Sequence, residues 1–148
     1  MPTLSTLILL LNFTTTLFMT GVIWFVQVVH YPLFSRVGSE AFKDYEALHT
    51  TLTTSVVIVP MLIELLTALW LCFERPHAVS AVEAIVGLVM LSLIWLSTAL
   101  LQVPKHTQLS YGFNAAVHQS LVATNWLRTV LWSLRSVWLS WLMLKMVR

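Results

Sequence analysis

Charge is what this sequence has least of. Asp, Glu, Lys and Arg make up only 9% of its 148 residues, against about 25% in an ordinary soluble domain. That is too little to cover a water-soluble globule of this size. The net charge of +2 is too small to suggest a nucleic-acid partner. A single cysteine, Cys72, excludes an intrachain disulfide and says nothing about redox compartment. There is no Gly-rich phosphate loop, no CxxC, no HExxH and no GxSxG. No charged side chain precedes Arg36, and no small-x-small cleavage pattern follows the first apolar run. The first helix is therefore expected to stay in the mature protein as a signal anchor.

What the sequence does have is apolar length. Hydrophobic residues make up 58% of it, and four runs are long enough for a membrane span of about 20 residues. The expected fold is all-α: a four-helix transmembrane bundle forming one integral membrane domain over residues 1–148. The helices are placed at about 4–29, 49–73, 79–103 and 118–145. Pro32 and Pro104 are expected to end the first and third, because a residue before proline is pushed from helical geometry. Pro60 is expected to kink the second. Residues 31–48 carry Arg36, Glu40, Lys43, Asp44 and Glu46, and read as a short amphipathic segment capped by Ser39 between helices 1 and 2. Residues 105–117 read as a loop. Trp138, Trp141, Lys145 and Arg148 suit the interface at the end of helix 4. Basic residues favour cytoplasmic termini, with Arg135 breaking an otherwise even balance.

Topology then sorts the polar residues. His30 ends helix 1, His49 starts helix 2, His106 follows helix 3 and His118 starts helix 4. All four belong at one membrane face, with Tyr31, Tyr45 and Tyr111; His77 belongs at the other. This His-rich end, the mouth, is a candidate metal or haem site, because imidazoles on facing helices can assemble as ligands. His30, His49, His106 and His118 are the candidate cofactor and metal ligands. Alternatively one imidazole acts as a general base, its ordinary pKa of about 6.5 suiting proton transfer at neutral pH. Glu46 and His49 have the Glu-x-x-His spacing of di-iron bundles, but only one such pair exists, which excludes that site. A plainer account stays open: His, Tyr and Trp favour an interface, where one end of the ring is wet.

Helix 4 carries a polar face, with His118, Asn125, Trp132 and Arg135 at near-heptad spacing and Arg128 between. Depth divides it. Arg135 lies about 25 Å below His118 along a straight helix, and Glu64 about 22 Å below His49. The two are expected to form a structural ion pair, unless Arg135 snorkels to the far interface. Arg128 lies only about 15 Å down, where no other helix offers a carboxylate. An unpaired intramembrane arginine marks a functional site. Arg128 and Asn125 are therefore expected to face a polar cavity below the mouth and bind a small hydrophobic, anionic or carbonyl-bearing ligand. With His30 and His118 they are the candidate catalytic residues. Gln27 also needs a partner, since an amide in lipid cannot stay unpaired. Gln27-Val-Val-His30-Tyr-Pro32 and Gln102-Val-Pro104-Lys-His106 hint at a duplicated helix hairpin.

Pro32-Leu33 after helix 1, Val103-Pro104 after helix 3 and Asn125-Trp126-Leu127-Arg128-Thr129 in helix 4 fall in an order that covers most of the chain. In this order the chain resembles the anthrone-oxygenase-like group of small four-helix membrane proteins. Gln102 and His106 stand where that group has Asn around the Val-Pro step. The resemblance implies a membrane bundle and, for some members, oxidation of a polycyclic anthrone to a quinone. It carries over no catalytic residue. Two classes of function are left: a membrane-embedded oxidoreductase or cofactor-binding protein, and a non-catalytic accessory subunit or small transporter. Polar groups gathered at one end, rather than along a path across the membrane, lean toward the first.

Overall fold

The computed structural model describes residues 3–147, so Arg148 lies outside the described residues. Four long helices carry almost the whole chain: α1 (Leu4–Arg36), α2 (Phe42–Phe73), α3 (Ala81–Leu109) and α4 (Ala115–Val147). Each is long and apolar enough to cross a membrane. Each packs against its neighbours in the chain, and α4 closes the ring against α1.

Local chemistry sets the ends. Thr3 caps α1 by accepting the Thr6 N–H at 3.3 Å. Ser80 and Glu83 form a reciprocal capping box on α3, at 3.3 and 2.7 Å. Asn114 Oδ1 accepts the Val117 N–H at 3.1 Å where α4 begins. The turn before it passes through Gly112, whose φ of 140° is closed to most side chains.

The prolines behave differently from expectation. Pro32 and Pro104 lie inside helices, not at their ends. Each follows a single wide π turn, at Val26–His30 in α1 and at Thr98–Gln102 in α3. The Tyr31 N–H returns to the Val26 carbonyl, and the Val103 N–H to the Thr98 carbonyl, five residues back. Proline stops an α-helix because it lacks an N–H and its ring strikes the carbonyl four residues earlier. A π turn widens the backbone just before the ring, so the helix continues. Two further boundaries move for the same reason of continuity. Residues 42–48 are the first turns of α2 rather than a separate amphipathic helix, and the expected loop 105–117 shrinks to the few residues between Leu109 and Ala115. α2 also runs unbroken past Pro60.

The bundle buries many polar side chains among its apolar ones and turns an apolar surface outward. Asn12, Thr16, Gln27, Glu46, Glu64, Gln102, Asn125 and Arg135 are buried, while Leu66, Val103, Val137 and Phe73 are exposed. A water-soluble protein rarely exposes an apolar patch beyond a few hundred Å². Here the outward apolar surface runs along all four helices, which suits a hydrocarbon solvent. The chain reads as an integral membrane protein.

Two apolar clusters fill the interior. One, around Phe34, Phe42, Leu109 and Leu121, fills the mouth end and reaches past the middle of the bundle to Leu91 and Ala68. The other, around Leu9, Leu71, Leu139 and Leu142, occupies the half nearer the termini. A polar layer is set among them. Glu64 Oε1 accepts from the Thr16 hydroxyl at 2.5 Å and lies 3.6 Å from Arg135 Nε. Its Oε2 accepts from the Trp132 indole at 3.2 Å. Arg135 also donates to Asn12 Oδ1 at 2.8 Å and to the Gly87 carbonyl. A Cβ added at Gly87 would stand 3.4 Å from the guanidinium, in ordinary contact with it. Glu64 and Arg135 thus meet as the depth comparison expected. Nearer the termini, Lys145 pairs with Glu83 at 2.6 Å and lies over the Trp141 ring.

Candidate functional site

A cavity of about 440 Å³ opens in the mouth half. All four helices line it. Its floor is apolar, with Met19, Met61 and Trp132; its polar groups include Tyr31, His49, His106 and Arg128. The sequence expected both Arg128 and Asn125 at such a cavity; Arg128 lines it, whereas Asn125 is fully buried outside the lining, its amide oxygen turned to Arg128.

The polar wall is one connected row of hydrogen bonds. Glu46, fully buried on the second turn of α2, lies 2.6 Å from His106 Nδ1. With Glu46 as a carboxylate, it can only accept, so Nδ1 carries the proton. The other ring nitrogen, Nε2, is then left to accept from the Tyr31 hydroxyl at 2.9 Å. The same phenol oxygen accepts from Arg128 Nη2 at 3.3 Å. The row Glu46–His106–Tyr31–Arg128 therefore joins α2, α3, α1 and α4. The Tyr31 hydroxyl thus lies between an imidazole nitrogen that can receive its proton and a guanidinium that faces its oxygen.

The π turns build this row. The α1 turn holds Gln27 and leads into Tyr31; the α3 turn precedes Pro104 and His106. Beneath Tyr31, Arg128 is held by neutral acceptors. Its Nε and Nη2 donate to Asn125 Oδ1 at 2.9 and 2.5 Å, and Nη1 to the Thr98 hydroxyl at 3.4 Å. Asn125 in turn donates to Gln27 Oε1 at 2.8 Å, and Gln27 to the Val122 carbonyl at 3.2 Å. That answers the question of Gln27's partner. Among the described residues no carboxylate pairs with Arg128. An arginine fixed by amide and hydroxyl oxygens at a cavity wall keeps its charge available to a ligand.

The four histidines do different work. His118 donates from Nε2 to the Tyr31 carbonyl at 2.7 Å and stacks on Phe34. It is a clamp on the Tyr31 backbone and lies outside the cavity lining, contrary to its expected catalytic place. His30 also lies outside the lining, with Nε2 2.8 Å from His49 Nδ1. His49 and His106 reach the cavity. The four histidines His30, His49, His106 and His118 do not converge on one point as a four-ligand site would require. Both nitrogens of His106 are held by Glu46 and Tyr31, and His118 is held by a backbone carbonyl. Among the described residues no three His, Cys, Asp or Glu side chains converge as a metal site would need.

Sequence reasoning missed Tyr31 and Glu46. Tyr31 was visible only as one of three interfacial tyrosines. Glu46 was noticed for its spacing to His49, yet it serves His106 sixty residues away. Its full burial, unusual in an otherwise charged segment, appears only when α2 begins at Phe42 and turns Glu46 inward. In comparisons with protein-family models, curated proteins and solved structures, nothing matches the chain.

Proposed function

We propose that the protein is a membrane-embedded enzyme that removes a proton from a small, flat, hydrophobic substrate bearing a carbonyl or phenol. Tyr31 is the base. The observation that carries this reading is the unbroken row from buried Glu46 through His106 to Tyr31 and Arg128 at the wall of a mostly apolar cavity. Glu46 orients the imidazole and stabilises its protonated form. His106 Nε2 takes the phenol's proton. The Tyr31 oxygen then takes a proton from the substrate carbon beside the carbonyl, and the enolate that forms is held at Arg128.

For an anthrone, the class the resemblance suggests, the electron-rich enolate is oxidised by dioxygen. The methylene carbon becomes a carbonyl. One oxygen atom of dioxygen stays on that carbon and the other leaves as water with the two methylene hydrogens. This makes the protein an oxidoreductase. A transporter needs polar groups through the full depth of the membrane, whereas the half below this cavity is filled by the Glu64–Arg135 layer and an apolar cluster.

The test is turnover of anthrone in aerated proteoliposomes, read as anthraquinone absorbance. Wild type should exceed protein-free vesicles, and Tyr31→Phe should lower the rate by about 10²-fold or more, the usual contribution of a positioned base. A Tyr31→Phe protein as active as wild type would overturn the assignment. We further place the termini in the cytoplasm, with the mouth at the opposite face, on the one basic residue that breaks an otherwise even balance, Arg135 in the terminal-side half of α4. A reporter active only outside the cytoplasm, fused after Arg148, should be silent.

A further inference from the structure

The cavity wall is closed on two sides and open on one. Its lining residues from α1 and α4 are buried or half-buried, including Met19, Ile23, Arg128 and Trp132. From α2 and α3 the lining includes exposed residues: Thr54 on one side, Val103, Thr107 and Ser110 on the other. The gap therefore lies between α2 and α3. Short side chains explain it, because a threonine leaves space that a leucine would fill. Their polarity is muted too. The Thr107 hydroxyl returns to the Val103 carbonyl at 3.1 Å, and Thr50 to the Glu46 carbonyl at 3.0 Å.

Depth tells what lies outside the gap. α2 has 32 residues, about 48 Å at 1.5 Å per residue, against a hydrocarbon core of about 30 Å. Centred, it overhangs by about 9 Å at each end. Thr54 lies twelve residues into α2, about 18 Å from its start, hence about 9 Å inside the hydrocarbon. Val103, by the same measure on the 29 residues of α3, lies about 2 Å inside. The window thus spans the headgroup boundary and the outer part of the acyl layer.

We infer that the cavity is loaded sideways from the bilayer, through the window between Thr54 on α2 and Val103 and Thr107 on α3. The ligand is a planar, lipid-dissolved aromatic molecule with one hydroxyl or carbonyl. Its apolar ring crosses the window at low cost, and its oxygen meets Tyr31 and Arg128 on the buried side. The ligand's chemical class rests on the reading above; the route rests on the cavity alone.

A photoactivatable diazirinyl naphthol, dissolved in proteoliposomes, reads the route without requiring turnover. Labelled residues are mapped by peptide mass spectrometry in a Cys72→Ala background. Labelling is expected at Met61 and Trp132 on the floor. Val103→Cys, folded first and then modified with a bulky lipid-soluble maleimide, should lose that labelling. Ser110→Cys, modified the same way at the aqueous end, should keep it. Thr54→Trp provides a second obstruction, with its melting temperature as the check on folding. Floor labelling that survives modification at Val103 would overturn the proposal, as would floor labelling lost on modification at Ser110. Labelling that follows the expected pattern in a protein inactive on anthrone would leave the route standing and the proposed reaction wrong.

Discussion

Arg128 shows how much geometry a single guanidinium carries. Two of its nitrogens hold Asn125 Oδ1, one of these also reaches the Tyr31 oxygen, and the third reaches Thr98. A lysine supplies the charge without the planar fork, and its three donors cannot reproduce that set of directions. Arg128→Lys is therefore expected to lose most of the anthrone turnover lost in Arg128→Met. Steady-state rates in proteoliposomes compare the two. A lysine variant near the wild-type rate would mean that only charge matters at this position. Glu46 makes the complementary case. Glu46→Gln keeps an acceptor for the His106 Nδ1–H but removes the charge that stabilises an imidazolium. It should depress the rate while leaving substrate affinity little changed, a split that kcat and KM resolve. Arg128 was readable from the sequence because its missing counter-charge can be counted along the chain. Tyr31 was not, because a phenol at an interface is common and only its partners distinguish it.

The two π turns set what each helix presents. Without them Pro32 and Pro104 would end α1 and α3 near the mouth, as proline chemistry alone suggests. With them, α1 continues to Arg36 and α3 to Leu109, carrying Tyr31 and His106 toward each other. The sequence displayed the prolines but not the widened turns, since a π turn has no residue signature comparable to a cap. Residues 27–32 and 102–106, whose Gln, Val, Pro and His hint at a duplicated hairpin, share in the structure a π turn separated from the proline by one residue. Deleting Leu100, an exposed residue within the α3 turn, should restore an α-helical register. His106 would then rotate by about 100° relative to the preceding helix, the angle per residue at 3.6 residues per turn. The expected outcome is a protein still helical by circular dichroism but inactive, with His106 no longer facing Tyr31 and Glu46. A deletion variant with full activity would show that the π turn is dispensable.

Across the whole molecule the layers divide by depth. Helix number, membrane class and the polar interior were legible because apolar length and polar spacing survive translation into a bundle without any detailed contact. Helix ends were less legible, and so were the separate roles of the mouth histidines, because sequence places residues at one end of the bundle without showing which nitrogens are already engaged. The same division separates stability from activity. Glu64 and Arg135 are both fully buried, with Asn12, Thr16 and Trp132 around them. Arg135→Met leaves Glu64 in the bundle without its cation, and breaking one side of a buried ion pair costs about 3–5 kcal/mol. Adding Glu64→Gln should recover part of that loss, because the stranded charge goes with it. At the mouth, Tyr31→Phe leaves His106 Nε2 facing a cavity large enough for water, so a solvent donor can replace the phenol. Its stability should change by no more than about 1 kcal/mol. Unfolding in one detergent, set beside turnover in proteoliposomes, should therefore sort the variants into two groups. Arg135→Met should melt early and retain activity in its folded fraction. Tyr31→Phe should melt like wild type and be inactive. If both properties fell together in both variants, the polar layer and the mouth would form one cooperative unit, and the division by depth would be wrong.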